Sequence, residues 1–171
     1  ATVIMKKDMK RNWFNVGFLL FAAFIVKALF AVNFEGHGTD MSCFKSWSDM
    51  VFNEGISKFY YLDAFTDYPP GYMLVLWVVA AIRHLFGIET GSTTGIFLIK
   101  LFPILCDLGT GCLIYIIAKK RFSEAVSLVI MAIYVLNPVI VLNSSVWGQV
   151  DGVFTLAVLA TCYLCMEGKR I

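Results

Sequence analysis

The sequence predicts an all-α integral membrane protein: a bundle of four to five membrane helices with an outer loop that carries an amphipathic surface helix. Of the 171 residues, 59% are hydrophobic and 15% are charged, whereas a typical soluble domain has about 25% charged residues. Several apolar segments approach the roughly 20 residues that a helix needs to cross a bilayer. The net charge of +2 is small and gives no indication of nucleic-acid binding.

Residues 1–171 are predicted to form a single membrane module. Its segments are a span at 13–34, an outer loop at 35–67 with a surface helix at 40–54, a re-entrant, interfacial or spanning helix at 68–86, spans at 95–118, 125–142 and 152–166, and an outer loop at 143–151. The surface helix is predicted because apolar residues recur at helical spacing with polar residues between them: Met41, Phe44, Trp47 and Val51.

Basic residues set the predicted orientation, because they cluster in cytoplasmic loops. They lie before the first span at Lys6, Lys7, Lys10 and Arg11, after residue 118 at Lys119, Lys120 and Arg121, and at the end at Lys169 and Arg170. If every apolar segment crossed the membrane, residues 119–121 would lie outside. We therefore predict that 68–86 makes no net crossing, which places 35–94 and 143–151 together on the outer face.

Charged residues inside the predicted spans are functional candidates, because burying a charge in a membrane is costly. Lys100 and Asp107 are seven residues apart and lie on one helix face. Two interpretations stay open: Lys100 binds an anionic headgroup, or Lys100 and Asp107 pair with each other. Lys27 lies near the end of the first span and is expected to extend its ammonium group to the interface.

Asp40 and Asp151 each precede a predicted helix. Each is therefore either an N-cap, which aspartate favours, or a carboxylate that takes a proton from an acceptor hydroxyl. His37, between two glycines, is expected to be an ordinary loop residue. In the predicted topology, Asp40, Asp67, Lys100 and Asp151 share the outer face. A group of acids and a cation at that level indicates a polar ligand.

Three motifs in order resemble the N-terminal part of the GT-C glycosyltransferases, membrane enzymes that use polyprenyl-phosphate-linked sugars. The first is Thr39-Asp40, which opens the outer loop. The second is Asp67-Tyr68-Pro69-Pro70-Gly71-Tyr72, similar to the acid-Tyr-Pro-Pro-Gly motif of the mannosyltransferase-like members. The third is Ser145-Val146-Trp147-Gly148-Gln149-Val150-Asp151, similar to their Ser-x-Trp-Gly-Gln-x-Asp. The resemblance covers roughly residues 13–166.

The resemblance implies the residue roles. Asp40 is the expected catalytic base, Asp151 is a second acid of the site, and Lys100 contacts the donor phosphate. The full set of expected substrate-binding residues is Lys45, Asp67, Tyr68, Lys100, Trp147 and Gln149. Asp40 and Asp151 are also the expected ligands if Mg²⁺ or Mn²⁺ is required. The expected partners are a polyprenyl-phosphate-linked sugar donor and membrane lipid, without nucleic acid.

The resemblance also predicts a multi-pass protein of the plasma membrane, or of the endoplasmic reticulum in a eukaryote, with its active face outward or lumenal. Family members usually have many more spans and a large second outer loop. The chain is therefore expected to be a fragment that lacks a C-terminal part, or a reduced relative, and a homo-oligomer stays open. Two alternative functions remain: a non-catalytic lipid-binding or scaffold subunit, and a small oligomeric transporter built around Lys100 and Asp107.

Overall fold

The computed structural model describes residues 2–168, with side chains from Trp13 onward. Within this range the regular structure is helical and contains no β-strand, so the predicted all-α class is confirmed for the described residues. The helices are α1 (Thr2–Asn33), α2 (Gly38–Glu54), α3 (Ile56–Phe59), α4 (Pro70–Phe86), α5 (Thr93–Ala118), α6 (Glu124–Val135), α7 (Pro138–Val141), a π-helix (Leu142–Trp147) and α8 (Asp151–Met166). The basic side chains at 6–11 and 169–170, used for the predicted orientation, lie outside the described side chains.

Two helical segments are long and apolar enough to cross a membrane, Trp13–Asn33 of α1 and Thr93–Ala118 of α5. A third span results if α6 is counted together with the segment Pro138–Trp147, to which it is joined at a 46° bend. Helices α4 and α8 are apolar but shorter. These segments make the chain a helical membrane protein with two to three candidate spans among the described residues.

Helices α1 and α5 pack antiparallel. Three contacts along the pair establish this direction: Lys100 Nζ with the Phe34 carbonyl at 2.6 Å, Lys27 Nζ with Asp107 Oδ2 at 2.9 Å, and the rings of Trp13 and Tyr115 with centroids 6.1 Å apart. The end of α1 and the start of α5 therefore lie at the same end of the bundle. The intervening segment, 34–92, leaves and rejoins the bundle at that end.

Helix α5 is the central helix and packs against α1, α6 and α8. Small residues on α5 and α8 permit close approach. A Cβ atom at Gly111 would collide with Val135 of α6, and one at Gly152 of α8 would lie 3.0 Å from the Pro103 carbonyl. A buried cluster joins Val16 and Ala23 of α1 to α5 and to the same face of α6. Close helix packing of this kind is how membrane helices associate without a hydrophobic driving force.

The apolar face of α2 packs against α4, and the predicted position of this helix at the membrane surface stays a prediction. Phe44 packs edge-on against Tyr72 at 5.5 Å, and Phe52 stacks on His84 at 4.2 Å, so α2 and α4 run parallel. The apolar positions of α2 are at most 3% exposed: Met41, Phe44, Trp47 and Val51. An amphipathic stripe needs an apolar partner, and hydropathy alone does not distinguish a neighbouring helix from a bilayer.

The helix predicted at 125–142 is broken in the structure, and part of the loop predicted at 143–151 is helical. Helix α6 ends at Val135, α7 begins at Pro138, and residues 142–147 are π-helical. The residue before a proline is disfavoured in the helical region. Asn137 instead caps α7, because its side chain accepts a hydrogen bond from the Val139 N–H at 2.9 Å. The break at residues 136–137 therefore has a local cause.

Candidate functional site

Asp40 is the centre of a polar cluster where the first turn of α2 meets the end of the π-helix. Its Oδ2 accepts hydrogen bonds from Trp147 Nε1 at 2.7 Å and from Gln149 Nε2 at 2.6 Å. The N-cap of α2 is His37, so the interpretation of Asp40 as an N-cap is wrong. Helix α2 begins at Gly38, two residues earlier than expected, so Asp40 lies inside its first turn. The Asp40 carboxylate contacts Trp147 and Gln149 instead of capping α2.

Tyr68 completes the chain of hydrogen bonds. Its hydroxyl donates to Gln149 Oε1 at 3.1 Å, which orients the amide so that its NH₂ group points at Asp40. Burial raises the pKa of Tyr68, and the carboxylates of Asp40, Asp67 and Asp151 raise it further. The hydroxyl therefore stays protonated at neutral pH and remains a donor.

His37 lies in the loop before α2, as predicted, and it also belongs to the cluster. Its ring stacks on Trp147 with centroids 4.9 Å apart and an interplanar angle of 19°. The backbone N–H of His37 donates to the Trp147 carbonyl at 2.9 Å, and the ring Nδ1 of His37 lies 3.4 Å from Asp40 Oδ2. The i, i+3 spacing of His37 and Asp40 is the sequence signal that could have indicated this contact.

Two glycines with positive φ allow the backbones to approach here. Gly36 has φ +102°, and a Cβ atom there would lie 2.7 Å from the Trp147 carbonyl. Gly148, in the Trp-Gly-Gln motif, has φ +91°, and a Cβ atom there would lie 2.7 Å from Met41 Sδ. Both values lie in the region that glycine tolerates and other residues avoid. The motif glycine therefore allows the turn that aims Gln149 at Asp40.

The Gly148→Ala variant is expected to be less stable by about 1–2 kcal/mol from the left-handed conformation alone, and more because of the contact with Met41. Thermal unfolding of the purified chain in detergent measures this. Gly17→Ala is the matched control, because Gly17 lies within α1 with no atom within 4 Å of an added Cβ. Equal melting temperatures for the Gly148→Ala variant and the wild type would contradict the assigned turn.

Lys100 is buried beneath the cluster, with no exposed surface. Its Nζ donates to the backbone carbonyls of Phe34 at 2.6 Å, Ser145 at 3.0 Å and Val146 at 3.3 Å. The interpretation of a Lys100–Asp107 pair is wrong, because Asp107 binds Lys27 instead. The contact of Lys100 with a donor phosphate stays a prediction.

Lys27 does not extend to the interface, so that expectation is wrong as well. Its side chain is buried, and its Nζ lies 2.9 Å from Asp107 Oδ2 and 3.2 Å from Ser144 Oγ. The pair joins α1 to α5, and Ser144 adds the π-helix. Hydropathy gave no reason to pair residues 80 positions apart, which is why the sequence did not reveal this contact.

The other predicted site residues are less closely engaged. Asp67 and Asp151 are exposed, and among the described contacts Lys45 joins none of this cluster. Asp151 is the first residue of α8, whose N-cap is Val150, so its interpretation as an N-cap is also wrong. A groove of about 320 Å³ adjoins His37 and Trp147. Its lining residues are Phe34, Glu35, Gly36, His37, Leu142, Val146 and Trp147.

The residues do not fit a divalent cation well. Oδ2 of Asp40 already faces two N–H donors, which a cation would have to displace. Over the described part of the chain, no group of three or more acidic, histidine or cysteine side chains converges as a ligand set. Asp40 and Asp151 as metal ligands therefore stay a prediction without geometric support, and no step below depends on a metal.

A comparison with known protein families identifies the class: this is a membrane protein of the GT-C glycosyltransferase kind. The model of the dolichyl-phosphate-mannose-protein mannosyltransferase family matches residues 67–168, more than half of the chain. The chain belongs to that family, and the resemblance to GT-C enzymes is confirmed. No curated protein and no solved structure matches it. The matched range contains Tyr68, Trp147 and Gln149, whereas Asp40 precedes it.

Proposed function

We propose that this chain transfers a sugar from a polyprenyl-phosphate donor to an acceptor hydroxyl at the outer membrane–water interface, with Asp40 as the base. The family implies a polyprenyl-phosphate sugar donor and a membrane lipid context. The observation that carries the proposal is the convergence on Asp40 of Trp147 and Gln149. These two residues come from the matched region more than 100 positions away.

The geometry gives the two oxygens of Asp40 different environments. Oδ2 accepts the bonds from Trp147 and Gln149, whereas among the described residues no donor contacts Oδ1. The side chain of Asp40 is 28% exposed, so it is partly accessible from outside the protein. A base must lie within hydrogen-bond reach of the proton that it removes. Oδ1 is therefore the atom proposed to take the proton.

The reaction balances as an inverting displacement. The acceptor oxygen forms a bond to the anomeric carbon, the bond from that carbon to the phosphate oxygen breaks, and the electron pair leaves with the lipid phosphate. The acceptor proton goes to Asp40 Oδ1. The ammonium group of Lys100 lies below the site and has no carboxylate partner among the described ion pairs. Its positive charge favours the departing phosphate electrostatically.

The proposed topology has four crossings, α1, α5, α6 with the π-helix, and α8, with α4 making no net crossing. The antiparallel packing of α1 and α5 supports this, because segment 34–92 starts and ends at one end of the bundle. The cluster around Asp40 lies at that same end. The proposal places this end at the outer or lumenal surface, where a lipid-linked donor can enter laterally from the membrane.

The test is a transfer assay in proteoliposomes that contain the chain. Labelled mannose linked to polyprenyl phosphate is compared with the same sugar linked to a nucleotide, with acceptor supplied on either side of the membrane. Transfer from the lipid-linked donor alone is the expected result. Transfer from the nucleotide-linked donor, or lipid-donor binding without transfer, would contradict the proposed function, and the second outcome would favour a lipid-binding subunit.

A further inference from the structure

The end of the π-helix leaves backbone carbonyls without partners of its own. The chain turns at Gly148 into the left-handed region, so no following helical turn can donate to the last carbonyls. Each is satisfied from outside: Ser145 and Val146 accept from Lys100 Nζ, and Trp147 accepts from the His37 N–H. Unpaired carbonyls are costly inside a membrane protein, so these contacts determine where the π-helix ends.

Lys100 satisfies the ends of two helices at once. It also donates to the Phe34 carbonyl, just beyond the last residue of α1. The carbonyl end of a helix carries partial negative charge, which a buried cation offsets. With no acidic partner in the described ion pairs, the ammonium group is held by these two helix ends.

Lys27 contacts the first half of the same π-helix from α1. Its Nζ lies 3.2 Å from Ser144 Oγ and 3.4 Å from the Ile140 carbonyl, in addition to its bond with Asp107. Asp107 in turn lies against Gly152, at the start of α8. Two buried ammonium groups thus contact consecutive parts of this segment: Lys27 at Ile140 and Ser144, and Lys100 at Ser145 and Val146. π-Helical turns are rare and often occur at functional sites.

We propose that Lys100 and Lys27 are positioning residues of this site. They hold the π-helix in the register that brings Trp147 and Gln149 onto Asp40, and neither needs to touch the substrate to do so. The expected effect of these lysines on sugar transfer rests on the proposed function, whereas their expected effect on the position of Trp147 does not. The proposal assigns to Lys100 a role that acts through the backbone of residues 145–146.

The test follows the indole N–H signal of Trp147 by ¹H–¹⁵N NMR in detergent, assigned with the Trp147→Phe variant. In Lys100→Met the signal is expected to move to the position of an indole without a carboxylate partner. The signals of Trp13, Trp47 and Trp77 are expected to stay in place. Transfer activity is expected to show kcat reduced about 10- to 100-fold, the effect of a small misplacement, with KM for the donor unchanged. Lys58→Met, at an exposed lysine of α3, is the matched control.

A Trp147 signal that stays in place while KM for the donor rises would overturn the proposal, because Lys100 would then contact the donor itself. If Lys100→Met does not fold, Ser144→Ala provides the second variant, since it removes the hydroxyl that contacts Lys27 and also bonds the Ile140 carbonyl. An unchanged Trp147 signal in folded Ser144→Ala would also overturn the proposal. A shifted signal in a chain that transfers no sugar even as wild type would support the positioning and reject the proposed function.

Discussion

Proteoliposomes with the Asp40→Asn variant are expected to transfer sugar about 10²- to 10⁴-fold more slowly than those with the wild type, the usual contribution of a general base. Asparagine has nearly the same shape, and its amide oxygen can still accept the bonds from Trp147 and Gln149. It cannot accept the acceptor's proton. The expected loss is therefore in kcat, with the fold and donor binding retained.

Asp63→Asn is the matched control for this variant, since Asp63 is an exposed aspartate outside the cluster. It is expected to transfer sugar at the wild-type rate. Initial rates are measured with donor at saturation, and unchanged indole signals of Trp13, Trp47 and Trp77 verify that the fold is intact. Wild-type rates in an intact Asp40→Asn variant would remove Asp40 from the chemistry.

The second large effect concerns stability. The Lys27→Met variant leaves the buried carboxylate of Asp107 without its partner, and removing one member of a buried ion pair costs about 3–5 kcal/mol. Asp107→Leu, which leaves Lys27 unpaired, is expected to cost a similar amount. Both substitutions approximately keep the side-chain shape, so the loss comes mainly from the charge that remains buried.

The double variant, Lys27→Met with Asp107→Leu, is expected to recover most of that stability. Two buried charges replaced by apolar groups of similar volume are often close to neutral. Thermal unfolding of all three variants in one detergent measures the coupling. If the losses of the two single variants simply add in the double variant, the pair does not stabilise the bundle in the way described.

The sequence predicts the helical class and places the loops that carry Asp40 and Asp151 on one face. Hydrophobic length identifies α1 and α5, and the positive-inside argument predicts that the loops at 35–67 and 143–151 share one face. In the structure, Asp40 and Gln149 are in direct contact. The pairing partners of the buried lysines did not follow, because Lys27–Asp107 and Lys100–Ser145 depend on how three helices pack.

The π-helix and the packing of α2 on α4 could not be predicted from the sequence either, because both depend on tertiary contacts. The extra residue in each turn of a π-helix does not change the hydropathy of residues 142–147. The stability of this π-helix also depends on Lys100 and His37, which donate hydrogen bonds to its last carbonyls. The stripe of α2 is equally suited to lipid and to α4. Where two environments are chemically alike, only the packed structure distinguishes them.

The antiparallel pairing of α1 with α5 has a consequence for how this protein can vary. Residues near both ends of the intervening segment line one small cavity of about 180 Å³, among them Phe34, Glu35, Gly91 and Thr93. The segment is therefore an insertion with adjacent ends, and each doubling of such a loop costs only about 0.6 kcal/mol in closure entropy. Insertions or exchanges within it can alter the surroundings of Asp40 without changing how α1 and α5 pair.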